Sequence, residues 1–178
     1  DPMSIYYLTG VYLEPFERFY GLYLRADGRH VYFLNRLFHV PQELGIEKVW
    51  YSDTDPAAEL VAERLDRGAV LGVDKDLRAS FLLPLIEKKA AAGFVNASYA
   101  IDRTRGVKDE EEQRLMREAS RINDAAMAEF KKLIHEGVTE KEAASQMLKI
   151  YQSLGADGFS FEPLAAFGAN AADPHHAP

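Results

Sequence analysis

Cysteine is absent from the 178 residues, which removes disulfides, thiolate metal ligation and cysteine nucleophiles together. That suits a reducing compartment, and a cytoplasmic protein is expected. Positive charge is in short supply, with 21 Lys and Arg against 28 Asp and Glu and a formal net charge of −7. Nucleic acid and anionic lipid call for a cationic face, so neither nucleic acid nor membrane is expected as a partner. No apolar run approaches the roughly 18–20 residues of a membrane span. The richest, Phe81-Leu82-Leu83-Pro84-Leu85-Ile86, is six long and interrupted by proline. Phosphate-cradling glycine signatures are missing as well: there is no Gly-x-Gly-x-x-Gly and no Gly-Lys-Ser/Thr. Hydrophobic residues at 47% and charged residues at 28% fit a folded globular chain rather than a disordered one.

In the first hundred residues, short apolar runs alternate with helical stretches. Tyr20–Leu24 and His30–Leu34 flank a turn containing Asp27-Gly28 and predict a hairpin. Lys48–Tyr51 reads as a further strand. Asp55-Pro56 reads as an N-cap and first-turn proline, opening a helix with apolar Leu60, Val61 and Leu65 that closes near Gly68. Ala69–Val73 is a continuous apolar run, the pattern of a strand covered on both faces. A helix over Phe81–Ala91, a strand from Phe94-Val95 and a short helical turn after Ser98 complete an α/β layer with a mixed sheet. His30 and His39 are isolated in sequence and read as structural or surface residues. Asp1-Pro2-Met3-Ser4 reads as a loop. The other end stops in Asp173-Pro174-His175-His176-Ala177-Pro178, and the chain reads as an internal piece of a larger protein.

Near residue 104 the pattern changes. Asp109 with Glu112 forms a capping box for a long helix whose apolar residues Leu115, Ala119, Ile122, Ala126, Phe130 and Leu133 lie on one face, with Gly137 ending it. Thr139 with Glu142 opens a second helix carrying Ala143, Met147, Ile150 and Leu154, and the short connection predicts an antiparallel pair. Phe159–Phe167 reads as a strand interrupted by Pro163. It leads into the small-residue run Gly168–Ala172, a loop that lets backbone approach a ligand closely. A histidine held between prolines after such a loop is a candidate polar group in a site. A zinc site from Asp173, His175 and His176 is disfavoured, because adjacent residues do not readily converge on one ion.

Three of these segments carry a resemblance. Phe161–Pro178 is similar to the segment of prolidases and proline-specific aminopeptidases that ends in a Pro-His motif, here Pro174-His175. The helices from Gly106-Val107-Lys108-Asp109 through Gly137-Val138-Thr139-Glu140 resemble the opening helix pair of the same pita-bread catalytic domain. Ile5-Tyr6-Tyr7-Leu8-Thr9-Gly10 resembles the Tyr-Leu-Thr-Gly signature of the creatinase-like N-terminal domain. The resemblance implies an α/β creatinase-like domain over residues 1–104, lacking that domain's usual first helix and strand. Residues 105–178 would then hold the first helix pair and strand of an α+β pita-bread domain.

The activity implied is metal-dependent hydrolysis of Xaa-Pro peptide bonds, by a dipeptidase before an aminopeptidase. A creatinase-like amidinohydrolase and a non-catalytic peptide-binding relative are the alternatives. Two divalent ions (manganese, cobalt or zinc) are implied, with ligands beyond residue 178 and none in this chain, so the chain alone is expected to be inactive. His175 is the implied site residue: it would hydrogen-bond substrate near the scissile bond and stabilise developing charge. His176 is expected to be a bystander. An Xaa-Pro dipeptide or proline-containing peptide is the implied ligand, and a homodimer the implied assembly.

Overall fold

The computed structural model describes residues 1–41 and 43–177, which form two compact units, 1–107 and 108–178. The first begins with helix α1 (Pro2–Thr9), where a loop is expected from sequence. Asp1 is its N-cap: its carboxylate accepts Met3 N–H at 3.0 Å and Ser4 N–H at 3.1 Å, with Pro2 in the first turn. Tyr7-Leu8-Thr9-Gly10 is therefore a helix end, closed by Gly10 N–H donating to the Tyr6 carbonyl at 2.7 Å.

The hairpin forms as expected, from β1 (Gly21–Tyr23) and β2 (Val31–Asn35), paired antiparallel with Leu22 opposite Tyr32. Gly28 takes φ 79° in its turn, and His30 is part of the closure, its Nδ1 accepting Arg25 N–H at 3.1 Å. Strand β3 (Glu47–Tyr51) adds parallel to β2, giving a mixed sheet of order β1-β2-β3. All five residues of β2 are buried. Its side chains alternate between two cores. Val31 and Phe33 pack with Phe19, Tyr51, Val61 and Leu85, whereas Tyr32 and Leu34 pack with Ile5, Val11 and Val40.

Helix α2 (Ala57–Arg64) stops short of Gly68, and Asp55 does not cap it. The Asp55 carboxylate instead accepts from Ser52, at 2.6 Å from the N–H and 2.8 Å from Oγ, closing the preceding turn. Strand β4 (Val70–Val73) pairs in parallel with β5 (Gly93–Asn96) in a separate two-stranded sheet. The expected covering of both faces of the 69–73 run is not found: Val70 is 61% exposed. Helix α3 (Ala79–Glu87) accommodates Pro84, and the turn after Ser98 is a full helix, α4 (Ser98–Gly106). Strands β1 and β4 each pair on one side only among the described residues. Both line one open cleft of about 1030 Å³, with Phe19, Phe81 and Asp74 among its other walls.

In the second unit, α5 (Glu110–Lys131) and α6 (Glu140–Ser153) pack together, and Ala126, Ala143 and Met147 are their buried residues. Both capping boxes close at both ends. Asp109 accepts Glu112 N–H at 2.8 Å and Glu112 accepts Asp109 N–H at 2.9 Å. Thr139 Oγ1 accepts Glu142 N–H at 3.2 Å and Glu142 accepts Thr139 N–H at 2.9 Å. Tyr151 Oη donates to Asn123 Oδ1 at 2.6 Å, tying the two helices further. Helix α5 ends at Lys131, six residues before Gly137, and turns carry the chain onward.

The strand expected over Phe159–Phe167 is not formed. The segment has no ladder partner among the described residues, and Pro163 supplies no donor. Phe161 and Leu164 are exposed along it, while Ala165 is buried.

Candidate functional site

The second unit gathers its polar chemistry at the start of α6. Thr139 and Glu142 satisfy each other in the capping box, so the first-turn residue Glu140 is left to face elsewhere. Its carboxylate takes up the chain returning after α6. Oε1 accepts Phe167 N–H at 2.6 Å, and both oxygens accept Asn170 Nδ2 at 3.0 Å. Oε2 also contacts His176 Nε2 at 2.8 Å. The two partners of that last contact are largely shielded, with side-chain exposures of 23% for His176 and 17% for Glu140. Donation from Phe167 N–H first, then from His176 and Asn170, holds the Glu140 carboxyl below its ordinary value.

Between these anchors the small-residue run forms a 3₁₀ turn, Gly168–Ala172, with no buried side chain. Asp173 N–H donates to the Asn170 carbonyl at 3.0 Å, and His176 N–H to the Asp173 carbonyl at 3.2 Å. Asp173 Oδ1 accepts His175 N–H at 2.9 Å, so the histidine backbone is fixed while its ring is exposed. Pro174 sets the approach to it. The structure thus separates the paired histidines. His175 is presented outward on a pinned backbone, and His176 faces inward to a carboxylate. The bystander expectation for His176 does not describe that contact.

Among the described residues no three His, Asp or Glu side chains converge as a metal cage. Asp173 is turned to the His175 backbone, and the Glu140 oxygens are taken by N–H donors. These residues do not fit a two-metal centre. His39 is exposed in the first unit, away from any such grouping.

Similarity to known proteins decides what this arrangement belongs to. Residues 1–107 match the family model of the Creatinase/Prolidase N-terminal domain, and residues 114–178 that of Metallopeptidase family M24. The chain belongs to the creatinase/prolidase family. Its α/β domain with a mixed sheet is the creatinase N-terminal domain, followed by the start of an M24 domain. A dipeptidase from Pyrococcus horikoshii OT3 is 29% identical with a TM-score of 0.81, covering 99% of this chain and 50% of that one. A prolidase from Thermococcus sibiricus is 29% identical with a TM-score of 0.82, covering 98% and 49%. An uncharacterized peptidase of Staphylococcus aureus is 27% identical over 99% of this chain and 51% of its own length. This creatinase/prolidase chain therefore spans about half the length of these relatives.

Of the site, Pro174-His175 and the small-residue loop are marked by the sequence. Glu140 and Asn170 are not, because thirty residues separate them and Glu140 sits in a run that already reads as a complete capping box.

Proposed function

We propose that the whole protein carrying this chain hydrolyses Xaa-Pro peptide bonds, acting as a dipeptidase before an aminopeptidase. The observation that carries the reading is the M24 match over 114–178 falling on a loop that presents His175 outward on a fixed backbone. Likeness to a prolidase and a dipeptidase, each at 29% identity, supports the same substrate class. In this reading the His175 ring donates a hydrogen bond to the substrate carbonyl oxygen as negative charge develops there. Two divalent ions (manganese, cobalt or zinc), when bound in the whole protein, would supply Lewis-acid chemistry and an activated water. They are held by residues other than those described. A homodimer is the assembly this reading implies, and the lack of cysteine suits the cytoplasm.

The test is turnover of Xaa-Pro dipeptides by the whole protein with Mn²⁺, beside Xaa-Pro-Yaa tripeptides and creatine. Dipeptide cleavage is expected to lead, and His175→Ala is expected to lower kcat about 10²- to 10³-fold, the effect of losing one oxyanion donor. The 178-residue chain alone is expected to be inactive. Preferential tripeptide cleavage would replace the dipeptidase reading with the aminopeptidase one. Creatine hydrolysis, or no turnover of any of the three, would overturn the peptidase reading.

A further inference from the structure

We propose that Glu140 is a positioning residue whose carboxylate fixes the loop carrying His175, and so sets where that ring meets substrate. The inference rests on the peptidase reading of His175 given above. The loop has little else to hold it. Gly168–Ala172 buries no side chain, and the ordering of each residue has to be offset by some contact. Glu140 supplies that contact at both ends of the critical stretch. Phe167 and Asn170 bind it before His175, and His176 binds it immediately after. A carboxylate is suited to the task because it only accepts, with room for several donors on two oxygens. Its place in the first turn of α6 adds rigidity, since the capping box of Thr139 and Glu142 holds that turn by itself.

Among the described residues no hydrogen bond joins Glu140 to His175 directly; the link runs through the backbone and through Asp173 Oδ1. Glu140 is thus expected to act on catalysis through His175 alone. Removing it leaves the histidine in place but lets the loop sample other conformations, which costs turnover more than substrate affinity.

Two measurements test this. In the ¹⁵N-labelled chain, hydrogen exchange at Phe167 N–H is compared among wild type, Glu140→Ala and Glu140→Gln, with the amides of Met147 and Ile150 inside α6 as controls. Exchange at Phe167 is expected to quicken about tenfold or more in Glu140→Ala with the controls unchanged. Glu140→Gln, which keeps one acceptor oxygen, is expected to change less. Unchanged exchange at Phe167 overturns the proposal. Equal quickening at the control amides also overturns it, because Glu140 would then merely support the helix.

In the whole protein, Glu140→Ala is expected to lower kcat by about 10- to 100-fold with KM near wild type. Glu140→Gln is expected to recover part of the loss, and adding His175→Ala to Glu140→Ala to cost nothing beyond His175→Ala alone. If His175→Ala leaves turnover intact, the peptidase reading of His175 fails, whereas the exchange data still judge Glu140's hold on the loop. If His175→Ala is slow and Glu140→Ala is not, the positioning proposal alone falls.

Discussion

In residues 1–107 the central strand β2 is closed to solvent along its whole length, and Tyr32, Leu34 and Asn35 are the largest fully buried side chains. Among the described residues from 108 onward the buried ones are Ala126, Ala143, Met147 and Ala165, three of them alanines. The first unit has two apolar clusters, one on each face of a sheet. The second has a helix pair, two capping boxes and one carboxylate gathering a loop. Burial of large side chains holds the first unit, and local hydrogen bonding carries a far greater share in the second. The difference matters for function, because the candidate site lies where the apolar contribution is smallest. A loop without a core beneath it must be held by specific polar contacts, and each such contact is then a point where function can be lost.

Mutations can break that contrast. The largest effect is expected at Leu34, which is 0% exposed in β2. Leu34→Ala should destabilise the first unit by about 3 kcal/mol through lost transfer energy and a cavity. The single Trp, Trp50 of β3, reports on this unit alone, so urea unfolding followed by its fluorescence measures the effect. A change well under 1 kcal/mol would show that the β2 core is not what holds the unit. In the second unit, Thr139→Ala should cost about 1 kcal/mol by removing the N-cap acceptor, read from amide exchange in the first turn of α6. A larger loss there than at Leu34 would invert the comparison.

The smallest expected effect is on acidification. Donors to the Glu140 carboxylate depress its native value below the unfolded one, near 4.5. Its contribution is therefore complete above the unfolded value and disappears as pH falls through the native one. Amide signals of Phe167 and Asn170 should shift and broaden over that window, and Glu140→Gln should flatten the response. An identical acid response in Glu140→Gln would assign the titration to another group.

Two of the three Asp-Pro dipeptides show how far local sequence can be trusted. Asp55-Pro56 reads as a cap and Asp1-Pro2 as a loop, yet the structure has them the other way round. The dipeptide is equally suited to both settings. What decides is the set of donors within reach: Ser52 offers Asp55 an N–H and a hydroxyl, whereas Asp1 meets the free amides of the helix ahead, the Ser4 hydroxyl and Arg105. The hairpin, the helix pair and both boxes are legible because their signals are complete within a few residues. The pattern of a strand buried on both faces stands at Ala69–Val73, but the strand so buried is Val31–Asn35, whose tyrosine and asparagine disguise it. Tyr32 is buried because its hydroxyl meets that of Tyr20, and Asn35 because it donates to Asp53 and accepts Leu37 N–H. Those partners are distant or conformational, and so invisible to pattern. Pro174-His175 is legible from its motif, while its support by Glu140 depends on a chain reversal that no spacing encodes.

The close approach at Gly72 has a consequence for folding accuracy. A Cβ at that position would lie 2.5 Å from the Cβ of Ala97, so only the bare glycine backbone passes beneath the segment leading into α4. A two-stranded parallel ribbon offers little to stop its strands sliding past one another. Displacement by one residue would bring Leu71 or Val73 under Ala97, and by two, Val70 or Asp74. Each of these displacements would meet a collision that the correct pairing avoids, and a single missing methyl acts as the key that favours one alignment of β4 over its near neighbours.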